Sequence, residues 1–400
     1  MALDHRGPVA THMNATLQIR VSRPVEAARG RRFDRVLITS LFGDPRSPRT
    51  WSGVSSNLAT RFEALGIGVE TYRPRLNPVM KLVLAAGYPL AGYGKLVNGE
   101  QILRCGQARR RHAAQLATAA EQMECDAVLH TGALDLPPAD LLRGVKHYLY
   151  CDQTWALSLR YRPDAPSYSR KARLEFERLE RESLAGLAHI FTFAEYVRDH
   201  IIEHYGVPEE RVSAIGSGMG QIEPYNGPKD YTRPALLFVA KHLFKAKGGE
   251  LLVAALHRAL ERRRDLTLTI VGDERSRRLV KPHPNIVFRD HLPWTELQGL
   301  FRSATLLVQP MLNDPWGQVY LEALLSRTPV MGLARNGLPE IVEGGRHGFL
   351  VARPDPDELA NAIVAALMDP DRLARMGQSG QRRVLNSYSW DRVAEAIAFS

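Results

Sequence analysis

Cysteine is close to missing from this chain: Cys105, Cys125 and Cys151 are all that 400 residues hold. They are odd in number, far apart and without metal-ligand spacing, which argues against a disulfide framework and for a reducing cytosol. Long apolar runs are missing too. None reaches the length of a membrane span, and the opening residues MALDHRGPVATHMNATLQIR lack the charged-then-apolar order of a secretion signal. There is no Gly-x-Ser-x-Gly elbow and no His, Cys or carboxylate set at metal spacing, so serine hydrolysis and metal chemistry find no residues to carry them. One crowded glycine run, Gly216-Ser217-Gly218-Met219-Gly220, leads into QIEPYNGP and not into a helix. A dinucleotide pyrophosphate would meet no helix dipole there, and the oxidoreductase reading fails on that context.

What is present is a globular composition, 44% hydrophobic, long enough for two domains with a core each. The formal charge is +10 and the pI about 9.6. An arginine-rich solvated surface accounts for this; so does attraction to an anionic partner such as a diphosphate or an acidic lipid headgroup. Nucleic acid fits poorly, because the basic runs Arg109-Arg110-Arg111 and Arg262-Arg263-Arg264 fall in helical stretches without interleaved aromatics to stack on bases.

Residues 1–32 read as a flexible basic extension. Short β-branched runs then predict strands at 35–40, 69–72, 127–130, 147–150, 190–193 and 212–215, with helical spacing between most of them, the first such helix covering 54–65. The stretch IEPYNGPKDYTRP is dense in Pro, Gly and polar residues and marks a linker. A second alternating series follows, with strands at 235–240, 266–272, 286–288, 306–309 and 329–333 and a helix at 249–263. The expected architecture is α/β, two Rossmann-like domains (33–225 and 226–387) whose parallel sheets face an interdomain cleft, and a last helix within 388–400.

The most informative segment is NDPWGQVYLEALLSRTPVMGLARNGLPEIV, residues 313–342. It sets Asp314 and Glu322 with seven residues between them across a loop that feeds a helix, with a Gly turn at Gly317 among these. Vicinal sugar hydroxyls need carboxylate acceptors, and a diphosphate needs backbone N–H groups at a helix N-terminus. A second segment, FVAKHLFKAKGGE, gathers Lys241, Lys245 and Lys247 just after the first strand of the second domain, ahead of Gly248-Gly249 and a helix; such ammonium groups bind phosphate as point charges.

These two segments resemble the retaining nucleotide-sugar glycosyltransferases of GT-B fold in family 4 (group 1). That family has acid-x7-acid, usually with Glu first, where this chain has Asp314 and Glu322. It has Gly-Arg at the strand end, where this chain has Ala240-Lys241, and Lys-Gly just after, matched by Lys247-Gly248. The likeness spans nearly the whole chain beyond the extension but is specific only over about 236–350. It implies a donor site in which Lys241 and Lys247 clamp the diphosphate and Asp314 anchors the sugar hydroxyls. Backbone N–H groups of Gly317, Gln318 and Val319 meet the distal phosphate, and Glu322 meets the ribose. Asp314 is one methylene shorter than Glu, and helix capping is the ordinary use of such an Asp. Gly272 matches a strand-end glycine and Arg289 lies where the base is lined. Glu340, in the GLPE turn, reads as a helix cap in preference to a chemical group.

In the first domain, Trp51-Ser52-Gly53 precedes a helix at the place of the family's Gly-Gly, so Gly53 is a donor-side position. Asp152, ending YLYCD, faces the expected cleft as the group that contacts the transferred sugar or orients the incoming hydroxyl; His130 competes, though a lone His is more often structural. Resemblance further implies a hexose donor, transfer with retention, no metal or other cofactor, and a sugar, polyol or lipid-linked acceptor. A non-catalytic sugar-nucleotide-binding protein on the same scaffold is the alternative. The apolar, glycine-broken run at 76–96 reads either as a buried helix plus loop or, with Arg104 and Arg109–Arg111 behind it, as a peripheral contact with an anionic membrane at its cytoplasmic face.

Overall fold

The computed structural model describes residues 30–399 except 143, 161–164, 242 and 291; the side chains of Lys241 and Pro166 also lie outside the described residues, as does most of the expected N-terminal extension. Residues 31 and 32, assigned to that extension from the sequence, are instead tied down. Arg31 bridges Phe399 in antiparallel fashion and the Arg32 N–H donates to the Ala398 carbonyl at 2.8 Å.

Among the described residues, twelve strands form two all-parallel sheets. The first contains β1 (Arg35–Thr39), β2 (Gly68–Tyr72), β3 (Ala127–Thr131), β4 (Lys146–Cys151), β5 (His189–Thr192) and β6 (Val212–Ala214) in the order β2-β1-β3-β4-β5-β6. The second contains β7 (Ala235–Lys241), β8 (Thr267–Gly272), β9 (Ile286–Arg289), β10 (Leu306–Val308), β11 (Val330–Leu333) and β12 (Gly348–Val351) in the order β12-β11-β10-β7-β8-β9. Strands such as RVLIT, AVLHT and VMGL are buried on both faces because helices cover each sheet, which is why they read as continuous apolar runs rather than as alternating ones. In each sheet the winding reverses at one point, between β1 and β3 and between β7 and β10. Loops leaving the carboxyl ends of those strands splay apart and leave a crevice.

The domains are not independent beads. One core cluster runs from Phe33, Ile38 and Phe62 in the first domain through Phe193 and Trp316 to Leu321 and Ile397. Helix Pro370–Ser387 packs on helix Gln318–Leu325 of the second domain, whereas the final helix, Trp390–Ala398, lies on helix Val54–Ala64 of the first. There the Trp390 indole N–H donates to the Met219 carbonyl at 2.7 Å and Arg61 pairs with Asp391 at 3.3 Å.

Candidate active site

The switch point of the second sheet builds one lip of the crevice. After β7 the chain turns tightly through Phe244 to Gly248, with the Gly249 N–H on the Phe244 carbonyl at 2.8 Å and the Gly248 N–H on the Lys245 carbonyl at 3.0 Å. Gly248 has φ +86°, and a Cβ there would stand 2.6 Å from the Pro310 ring, so only glycine lets this loop close against the one after β10. The two loops are stitched together: Met311 N–H to Lys247 carbonyl, 2.9 Å, and Asn313 N–H to Ala246 carbonyl, 2.8 Å. Their side chains meet as a result, with Lys247 Nζ 3.3 Å from Asp314 Oδ2.

Asp314 is held from several sides. Its Oδ1 accepts the Trp316 N–H at 3.3 Å and its carbonyl accepts the Asn336 side-chain amide at 3.0 Å. Gly317, at φ +83°, then caps helix Gln318–Leu325; a Cβ would lie 2.7 Å from the Tyr320 ring. The first N–H groups of that helix, at Gln318 and Val319, have no acceptor within it and point their partial positive charge at the same turn. The Gln318 side chain itself is engaged elsewhere, its amide donating to the Gly218 carbonyl at 2.6 Å and its oxygen 3.2 Å from Ser217 Oγ. Glu322 is buried one turn on, and a Cβ at Gly220 would sit 2.4 Å from its Oε1. The glycine run at 216–220 is therefore a packing device: Gly220 makes room for Glu322 and Gly218 for the Trp390 ring. Lys241 ends β7 beside Gly272 of β8, and Gly272 is pressed against Phe288. Arg289 is exposed at the end of edge strand β9, two strands from β7, and stands apart from the Lys247–Asp314 pair.

The opposing lip comes from the first sheet. Asp152 directly follows β4, and its carboxyl is pushed up to about 7, first by burial and then by Asp314 across the cleft, against the lowering effect of a hydrogen bond with the Trp51 side chain. Trp51 and Ser52 adopt left-handed backbone at φ 43° and 55°, and Gly53 at φ 83° opens helix Val54–Ala64. Non-glycine residues held this way cost about 1–3 kcal/mol each. The Trp51 ring is fixed by stacking on Phe42 at 5.7 Å and by Phe193 at 5.2 Å.

Two contacts clamp the lips together, and neither is visible from sequence. The Tyr196 hydroxyl donates to the Pro315 carbonyl at 2.9 Å, beside Asp314. Glu340 does cap a helix, but it is helix Glu195–Tyr205 of the other domain: its Oε2 accepts the Glu195 N–H at 2.8 Å, where the N-cap residue Ala194 offers no side chain of its own. Burial raises the Glu340 carboxyl to about 7. Beside these clamps an interdomain cavity of about 450 Å³ is lined by Gln153, Arg160 and Asp199 on one side and Arg335, Asn336 and Glu340 on the other. His130, by contrast, is a fully buried residue of β3, between Asp135 at 3.2 Å and His147 at 3.0 Å, and does not reach the cleft.

Comparison with known proteins bears out the fold. Solved structures that share the architecture include sucrose-phosphate synthase from Thermosynechococcus elongatus, with a TM-score of 0.70 at 18% identity over 91% of this chain and 97% of that one. Another is WaaG, a glycosyltransferase involved in lipopolysaccharide biosynthesis, with a TM-score of 0.64 at 16% identity over 90% and 99%. The fold is thus GT-B. Residues 233–369, most of the second domain, match the model of the glycosyl transferases group 1. Curated relatives include alpha-maltose-1-phosphate synthase of Mycolicibacterium smegmatis, 27% identical over 54% of this chain and 63% of that protein. D-inositol 3-phosphate glycosyltransferase of Streptomyces avermitilis is 29% identical over 50% of this chain and 48% of that protein. The chain thus spans about half to two thirds of the length of these relatives.

Proposed function

We propose that this chain is a glycosyltransferase that moves a hexose-type sugar from a nucleoside diphosphate sugar to an acceptor hydroxyl with retention of configuration, without a metal or other cofactor, in glycan, polysaccharide or glycolipid assembly at the cytoplasmic side. The observation that carries the reading is the meeting of Lys247 and Asp314 at 3.3 Å beside the left-handed Gly317 turn, with Asp152 opposite. In this structure the two charges satisfy each other. An arriving donor exchanges these partners: the diphosphate takes Lys247, Lys241 and the N–H groups of Gly317, Gln318 and Val319, and the sugar hydroxyls take Asp314. Glu322 serves the ribose, Gly53 lets the first domain approach the phosphates, and Gly272 and Arg289 lie toward the base.

The bond from the anomeric carbon to the phosphate oxygen then breaks while the acceptor oxygen bonds the same carbon on the same face, and the acceptor proton passes to the departing phosphate. Fixed positive groups stabilise the charge that grows on that phosphate, the dominant contribution in such sites. Asp152 orients the acceptor or the sugar. Lys247→Ala lowers turnover about a hundredfold or more while the melting temperature stays near that of the parent; unchanged turnover removes Lys247 from this role. A thermal-shift panel of UDP-, GDP- and ADP-sugars identifies the donor, since a ligand at a hundred times its Kd adds about 2.7 kcal/mol to stability.

A further inference from the structure

The run at 76–96 folds as helix Pro78–Leu90, started by Asn77, whose side chain accepts the Met80 N–H at 2.7 Å. One face of it is seated: Leu84 and Tyr88 are buried, and Tyr88 joins Trp155 and Phe176 in a satellite core. The other face is bare. Val79 is 71% exposed, Leu82 72%, Val83 58% and Leu90 88%, and their spacing aligns them along one side of the helix. Isolated exposed apolar side chains are ordinary, but four in a row on one helix face are a patch that calls for a cover.

Charge identifies the cover. Residues 71–99 contain four cations, Arg73, Arg75, Lys81 and Lys95, all exposed, and no Asp or Glu. Arg104 and Arg109, by contrast, do not contribute: Arg104 pairs with Glu100 and lies over Trp155, and Arg109 is buried, its Nε donating to the Leu136 carbonyl at 2.8 Å. An apolar strip on a segment whose own charges are all cationic fits an interface that is apolar inside and anionic at its rim. No helix among the described residues is long and apolar enough to cross a membrane, so such a strip lies along the surface. We propose that helix Pro78–Leu90 docks the protein on an anionic lipid bilayer.

The position matters for the site. Tyr88 packs in the same satellite core as Trp155, which opens the helix three residues after Asp152. A bilayer met by Leu82 and Leu90 is thus coupled through one packed cluster to the acceptor lip. Resting on the glycosyl-transfer reading for this step only, the acceptor is a hydroxyl on a lipid-anchored molecule.

Co-sedimentation of the full chain with vesicles tests the docking without reference to catalysis. Vesicles of phosphatidylcholine and phosphatidylglycerol in equal parts carry the protein down at low salt; phosphatidylcholine alone carries down much less. Leu82→Asp with Val83→Asp weakens binding tenfold or more, on the order of what burying such a side chain contributes. Arg75→Glu with Lys95→Glu weakens it by about fivefold or more. All four positions are exposed, so both variants keep the parent's thermal melt and its donor-induced shift. Binding that survives the Leu82/Val83 change overturns the proposal. So does a dimer in analytical ultracentrifugation that the same change dissolves, which would make a second copy the cover. A donor-induced shift that is absent from the parent itself counts against glycosyl transfer and leaves the docking standing.

Discussion

At the scale of single residues, the carboxyl of Asp152 is the group at the site whose state its surroundings set. With its value raised to about 7 by burial and by Asp314, the folded chain holds a proton on it between about pH 4 and 7 that the unfolded chain has released. The unfolded state binds fewer protons in that window, so stability falls as pH rises through it and the full cost is present above 7. Asp152→Asn removes this cost: calorimetric melts at pH 5 and pH 8 should find the variant gaining on the parent by about 1–2 kcal/mol as pH rises, allowing for the open side of the cleft. If the ionised form orients the acceptor, parent turnover climbs through pH 7, and the Asn variant is slow with no such limb. Trp51 and Ser52 belong to the same neighbourhood, since their strained backbone is what brings the indole to Asp152. Nothing in the letters TWSG announces two left-handed residues in succession. The later glycine alone was legible.

At the scale of elements, most strands could be read directly because both-face burial selects β-branched runs, and the basic and acidic loops could be read because their chemistry is local. Two things could not. Helix Glu195–Tyr205 begins at Ala194, a residue with no capping side chain, and its cap arrives from Glu340, 145 positions later; local spacing carries no trace of such a partner. The 76–96 run showed that a helix was apolar but not which face of it the fold would leave uncovered. The glycines at 216–220 lead into no helix, as their sequence context implied, while their use as clearances for Glu322 and Trp390 required the third dimension. Glu340→Ala should cost about 0.5–2 kcal/mol in chemical denaturation, the value of an N-cap, and should raise the rate of limited proteolysis near residue 195. A variant as stable and as closed as the parent would mean that the other interdomain contacts hold the lips without this cap.

At the scale of the whole molecule, two sheets with their own switch points share one continuous core through Phe193 and Trp316, whose rings lie 6.0 Å apart. The final helix secures this arrangement by inserting Trp390 over Gly218 and under Met219. Trp390→Ala should destabilise by about 3–5 kcal/mol and should lower donor affinity as well, because Gly218 also holds Gln318 at the head of the donor helix. A loss of stability with affinity intact would separate the terminal helix from the site.

The backbone crosses between the domains twice, outward at 222–234 and back at the junction of helices Pro370–Ser387 and Trp390–Ala398. Any opening of the cleft between Asp152 and Asp314 therefore bends the chain at both crossings at once.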